Sequence, residues 1–141
     1  MSNFEKQGIT DADLLKVIID LNRTPDLITL HTSLGIRFYE KNRILLFRTM
    51  INPTSKGSCW EALFTDSTTK KLTNRVTAEK LISHLPHNSF IKINQSCILN
   101  RAFLLGISYK TRDCELFPPY DKIILTTSRI QFIRIKALLL K

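Results

Sequence analysis

The sequence predicts a mostly β domain of packed antiparallel sheets, with a helix near each end and a short helix between. Three observations carry this expectation. Short runs rich in β-branched and aromatic residues recur between polar turn segments. Helical spacing is confined to a stretch before residue 25 and another near residue 80, and a capping serine opens a third candidate at residue 128. Strands do not alternate regularly with long helices, so antiparallel sheets suit the pattern better than a parallel βαβ layout.

Residues 1–9 read as a loose leader. Thr10 caps a first helix, Asp11 and Asp13 add negative charge to its first turn, and Leu14, Val17, Ile18 and Leu21 form one apolar face. Lys16 and Asp20 can pair on its outer side, and Pro25 ends it. This divides the chain into a leader and helix, 1–25, and a domain, 26–141. Strands are expected at Asp26–His31 and Ile36–Tyr39, with a turn at Gly35. The run Ile44–Phe47 is apolar throughout, as in a strand buried on both faces. Asn52–Ser58 reads as a loop. Cys59–Thr65 and Lys70–Thr73 form a hairpin about Asp66–Thr69. Thr77 caps a helix with Ala78, Leu81, Ile82 and Leu85 on its inner face, and Pro86 stops it.

Further strands are expected at Leu105–Lys110, Cys114–Phe117 and Lys122–Thr126, with an extended break at Pro118–Pro119. Ser128 argues for a helix start. The alternation Ile133-Arg134-Ile135-Lys136 also suits a strand, and periodicity leaves both open.

The chain's 141 residues fit one domain with a proper core, and 43% hydrophobic with 23% charged residues is a globular composition. The net charge of +9 favours polyanions, nucleic acid before anionic membrane. Nine basic and three acidic residues fall from Asn88 onward, so the excess is concentrated in the last part of the chain. Cys59, Cys97 and Cys114 are odd in number and set among apolar neighbours, which points away from a disulfide framework and towards a reducing cytoplasm. The opening residues lack the apolar core of a signal peptide, and no apolar run is long enough to span a membrane.

Little in the sequence suggests catalysis. Gly8, Gly35, Gly57 and Gly106 are too scattered to cradle phosphate. His84 and His87 have no accompanying Cys or carboxylate set, so no metal or other cofactor is expected. Cys97 opens an apolar run, where cysteine behaves as a small hydrophobe. Glu61, Glu79 and Glu115 form no pair for acid–base work. The expectation is a protein without enzymatic activity.

The most informative stretch runs from Asn88 to Leu104. An alternating apolar run, a polar knuckle (Asn94, Gln95, Ser96), a second apolar run and Asn100-Arg101 follow one another. Such an order gives a buried strand, a turn that displays amides, and another buried element. Asn, Gln, Arg and Lys are the side chains that hydrogen-bond base edges and phosphates.

The set Phe90, Asn94, Ser96, Asn100 and Leu104 resembles the signature of the LytTR DNA-binding domain. The apolar strand upstream, the hairpin, the helix ending at Leu85 and the segment Ile124–Arg129 follow in the same order, so the resemblance covers about residues 26–140. It implies a small domain of packed antiparallel sheets that places loops in successive major grooves of duplex DNA. Carried over by position, it makes Asn94, Gln95, Arg129, Ser58 and Cys59 base-contacting residues. Lys56, Lys92, Ser96 and Arg101 become phosphate contacts. Asn100 is expected to tie loops together rather than touch a base, and Ser96 has a backbone-bonding role as its alternative. This chain has Asn94 where the family often has His, and its first loop is longer.

Family members commonly follow a receiver domain, for which the residues before the first strand are too few, so a stand-alone form is expected. The functional expectation is a cytoplasmic, sequence-specific regulator of transcription that binds double-stranded DNA. A homodimer on direct repeats and an unidentified regulatory protein are its further partners. The alternative is an interaction module of the same fold, an antagonist of a related regulator without specific DNA binding.

Overall fold

The computed structural model describes residues 10–15, 27–50 and 57–139. Helix α1 is described over residues 11–15. Thr10 Oγ1 accepts from the Asp13 N–H at 3.1 Å, and Asp13 Oδ2 accepts from the Thr10 N–H at 3.4 Å. This reciprocal cap satisfies two backbone donors that a helix start leaves open. The leader, the face formed by Val17, Ile18 and Leu21, the Lys16–Asp20 pair and Pro25 lie outside the described residues.

The elements then follow as β1 (Leu27–Thr32), β2 (Gly35–Glu40), β3 (Ile44–Thr49), β4 (Trp60–Phe64), β5 (Thr69–Lys71), α2 (Ala78–Ser83), β6 (Phe90–Asn94), β7 (Cys97–Asn100), β8 (Leu104–Ile107), β9 (Asp113–Leu116), β10 (Leu125–Thr126) and α3 (Arg129–Leu139). The strand pairings are antiparallel. A central sheet in the order β5-β4-β3-β7-β6 lies between the β1–β2 hairpin and a smaller sheet, β10-β9-β8. The fold is mostly β with antiparallel sheets and short helices, as the sequence predicts.

The central sheet is buried on both faces because β3 carries apolar side chains to each. Ile44 and Phe47 join Trp60, Phe90, Ile98, Leu30 and Leu81 in one cluster, beneath β1 and α2. Leu45 and Leu46 join Ile93, Leu99, Leu116 and Ile135 in the other, beneath the small sheet and α3. Strict alternation would separate two consecutive residues. A bulge in the β3–β4 register between Ile44 and Leu46 lets both leucines serve the second cluster. Trp60 is wholly buried, and its Nε1–H donates to Val76 O at 2.9 Å. Gly57 sits against that same backbone at φ +106°, where a Cβ would stand 3.0 Å from Val76 atoms, so the position requires glycine.

One ambiguity of the sequence reading is settled and two of its expectations shift, each for a physical reason. The C-terminal segment is a helix: Ser128 Oγ accepts from the Gln131 N–H, and Gln131 and Ile135 are buried one turn apart while Ile133 is exposed. The strand expected at Lys122–Thr126 shrinks to Leu125–Thr126, the two residues that find partners on β9. Pro118–Pro119 turns rather than extends: the Tyr120 N–H closes on Phe117 O, and the Tyr120 hydroxyl donates to Thr65 O at 2.9 Å.

Asn100 ties loops together. It is 1% exposed. Its Nδ2 donates to Ile44 O at 2.8 Å, Lys41 O at 3.2 Å and Asn42 Oδ1 at 3.3 Å, and its Oδ1 accepts from the Ala102 N–H at 3.0 Å. The single-turn 3-10 segments Lys41–Arg43 and Arg101–Phe103 are thereby locked side by side. Asn100→Ala should lower stability by about 2–4 kcal/mol, because several buried backbone groups lose their partner at once. Urea unfolding measures this, and a loss below the range of an ordinary surface substitution would contradict the role.

Candidate nucleic-acid interface

One end of the central sheet gathers the polar segments. Strand β6 ends at Asn94 and β7 begins at Cys97, so Gln95 and Ser96 form the tip of a two-residue hairpin. Beside it, β3 ends: the Thr49 N–H donates to Ser96 O at 3.0 Å. Beside that, β4 begins, and the Met50 N–H donates to Cys59 O at 3.0 Å. The loop between Met50 and Gly57 therefore leaves and returns at the same end as the hairpin tip. On the other side, the Ser128 N–H donates to Ile93 O at 2.8 Å, which sets the start of α3 against the edge strand β6.

Asn94 is the joint. A register shift between Lys92 and Asn94 places Asn94 opposite Cys97, on the sheet face that meets α3. Its Oδ1 accepts from the Ser96 N–H at 2.8 Å, which closes the turn. Its Nδ2 donates to Thr126 O at 3.0 Å, which holds β10 and the approach to α3. The amide keeps one N–H and one lone pair beyond these bonds. Gln95, at the tip, is exposed, and so is Arg129, the first residue of α3. The backbone bond Ser128–Ile93 and the side-chain bond Asn94–Thr126 hold the start of α3 beside the end of β6. The β8–β9 turn joins them, since the Thr127 N–H donates to Arg112 O at 2.9 Å.

Other expected site residues are placed differently. Lys92 is 8% exposed, and its ammonium is held by Glu79 of α2. It points to the opposite face of β6 from Asn94, because the bulge reverses alternation between them, so it does not flank the knuckle. Arg101 is exposed but follows Asn100, at the far end of β7 from the tip, so it does not flank the knuckle. Ser58 is buried in a bridge with Val76, exchanging bonds of 2.9 and 3.2 Å with its backbone, so little of it reaches the surface. Cys59 is half-buried at the edge, and Ser96 is half-buried within the hairpin turn. Lys56 lies outside the described residues.

Sequence reasoning missed the anchors at Thr126 and Ser128, which act through backbone groups and leave no compositional mark. It also missed Arg48, which lies opposite Cys97 on β3 and pairs with Glu61 at 2.7 Å. A cross-strand partner thirteen residues away is visible only once the register is known. Among the described residues no cluster of His, Cys, Asp and Glu could hold a metal ion, and no helix is long and apolar enough to cross a membrane.

Two consequences are measurable. Burial, with a smaller contribution from nearby Cys114, pushes the Cys97 thiol up to about 12. At pH 8 roughly one molecule in ten thousand then carries the thiolate. Iodoacetamide followed by mass mapping should modify Cys59 well before Cys97; equal rates would contradict the packing. The hydrogen bond from Lys92, aided by the Arg134 charge, holds the Glu79 carboxyl below its ordinary 4.5. A depressed carboxylate stabilises the fold above its unfolded value and loses that contribution as pH falls through the folded one. Glu79→Gln should therefore remove part of the acid-side decline in stability, by no more than about 1 kcal/mol because Glu79 remains largely in water. An unchanged acid limb in pH-dependent unfolding would contradict it.

No family model matches the chain, and no curated protein matches it. Among solved structures, it is similar to the LytTr DNA-binding domain of a response regulator from Bacillus cereus. The TM-score is 0.58 at 16% identity, over 81% of this chain and 96% of that one. At that identity the likeness is one of fold: this chain has a LytTR-like architecture.

Proposed function

We propose that the chain is a sequence-specific, duplex-DNA-binding regulator of transcription. It reads successive major grooves through the loops at the sheet edge described above. The observation that carries this reading is the joining of the hairpin tip, the start of α3 and the roots of the 51–56 loop by independent hydrogen bonds. Rigid presentation of amide and guanidinium groups is what base readout requires.

In this reading Gln95 pairs with an adenine edge and Arg129 with a guanine edge. Asn94 mainly sets the tip and offers its remaining N–H. Cys59 and Ser96 line the edge between them. Phosphate attraction comes from Lys56, Lys110 and Arg112 rather than from Lys92 or Arg101. Two copies on direct repeats about one turn apart would occupy one face of the duplex, and a regulatory protein would supply control.

A second reading rests on β2. Its outer edge has no strand partner among the described residues, and Ile36 and Phe38 stand 59% and 69% exposed on it. That surface suits an interaction module that antagonises a related regulator. Elution volume on mixing with a LytTR-domain regulator distinguishes it: co-elution without DNA binding favours the second reading.

The test of the first is selection from a random duplex library at moderate salt, followed by variants on the recovered site. Gln95→Ala and Arg129→Ala should each cost about 1–3 kcal/mol and relax one position. Arg112→Ala should weaken all sequences alike and lower the salt slope by about one, while Lys92→Ala should leave that slope unchanged. No enriched motif, together with no effect of either base-edge variant, overturns the proposal.

A further inference from the structure

A concave site lies along α3, between β8 and the Arg101 end of β7. Its cavity of 360 Å³ falls at the small end of the range for small-molecule sites. Ile91, Leu104, Ile107 and Ile135 form an apolar floor, and Tyr109 and Phe132 form one wall. The two rings meet edge to face at 5.8 Å between centroids. The charged groups that line it among the described residues, Arg101 and Lys136, are both cations. Lys136 Nζ rests 5.2 Å from the Tyr109 ring centroid and 5.9 Å from that of Phe132, which stations the ammonium at the aromatic wall.

This combination has no use in the proposed reading of DNA. Arg101 stands at the end of β7 remote from Gln95, and a duplex presents phosphates on a convex surface rather than an apolar body that could fill a hollow. Leu105, 56% exposed beside the floor, leaves further apolar area open.

We propose that this cavity binds a small amphipathic monocarboxylate, its apolar body against the isoleucine floor and its carboxylate between Arg101 and Lys136. Charge and shape together select the class. An apolar cleft alone would accept neutral molecules, and two cations alone would accept inorganic anions. The joint requirement is for one negative group on a body of about six to ten carbons, given the volume.

The experiment titrates the full chain with octanoate, 1-octanol and octylammonium below their aggregation limits, following backbone amide shifts by NMR. Octanoate should shift the amides of Ile91, Gly106, Ile107 and Lys136 saturably. Octanol should bind at least tenfold more weakly, and octylammonium should not compete. Arg101→Gln and Lys136→Gln should each weaken octanoate about tenfold, the weight of one charge-assisted hydrogen bond, without lowering the melting temperature. Leu105→Asp, at an exposed position that tolerates substitution, should abolish binding by setting a like charge at the mouth. Equal affinity for octanoate and octylammonium, shifts mapping to another surface, or no saturable shift at all would overturn the assignment. None of these outcomes depends on whether the chain binds DNA.

Discussion

Burial of the central sheet on both faces is the constraint from which the rest of the structure follows. A strand with apolar side chains on each side needs a cover on each side, and this chain supplies two different ones. The β1–β2 hairpin and α2 close one face, and the small sheet with α3 closes the other. Regular alternation would not deliver the needed side chains. The bulge in β3 sends Leu45 and Leu46 to the same cluster, and the irregularity in β6 turns Asn94 towards α3. The two departures from ideal pairing are thus what adapt the sheet to its two covers and aim its polar end.

Polar groups then serve as fasteners. Asn100 bonds three backbone or side-chain oxygens across two 3-10 turns, Asn94 bridges the hairpin and β10, and Ser128 belongs both to the cap of α3 and to the edge of β6. Among the described residues no buried side-chain polar atom lacks a partner. In a low-dielectric interior an unpaired amide is costly, so these side chains fix geometry as firmly as packing does. The edge they hold carries exposed Gln95 at the hairpin tip and exposed Arg129 at the start of α3.

Much of this was legible in the sequence. The apolar run Ile44–Phe47 announced a strand buried on both sides, Thr77 and Pro86 bounded α2, and the polar knuckle at Asn94–Ser96 marked a hairpin tip. Asn100 as a loop tie followed from the resemblance to the LytTR signature, and its buried bonds to both 3-10 turns agree with it. What could not be read were the consequences of register. Lys92 looked like a free cation beside the knuckle, yet the β6 irregularity puts it on the other face, against Glu79. Ser58 looked like a loop residue, yet Val76 draws it into a buried bridge. The helix–strand ambiguity after Ser128 was settled by tertiary packing, since only one side of the segment meets the core.

The open rim of β2 has a bearing on how the molecule behaves in concentrated solution. Among the described residues no strand pairs with that rim, and Ile36 and Phe38 give it an oily surface that invites a like rim from another molecule. What opposes such pairing is mutual repulsion from a net charge of +9, which acts only over the distance that dissolved ions leave unscreened. Dilute buffer therefore keeps the molecules apart, whereas concentrated salt screens the repulsion and lets the rims meet. Ionic strength thereby sets how closely two such rims approach.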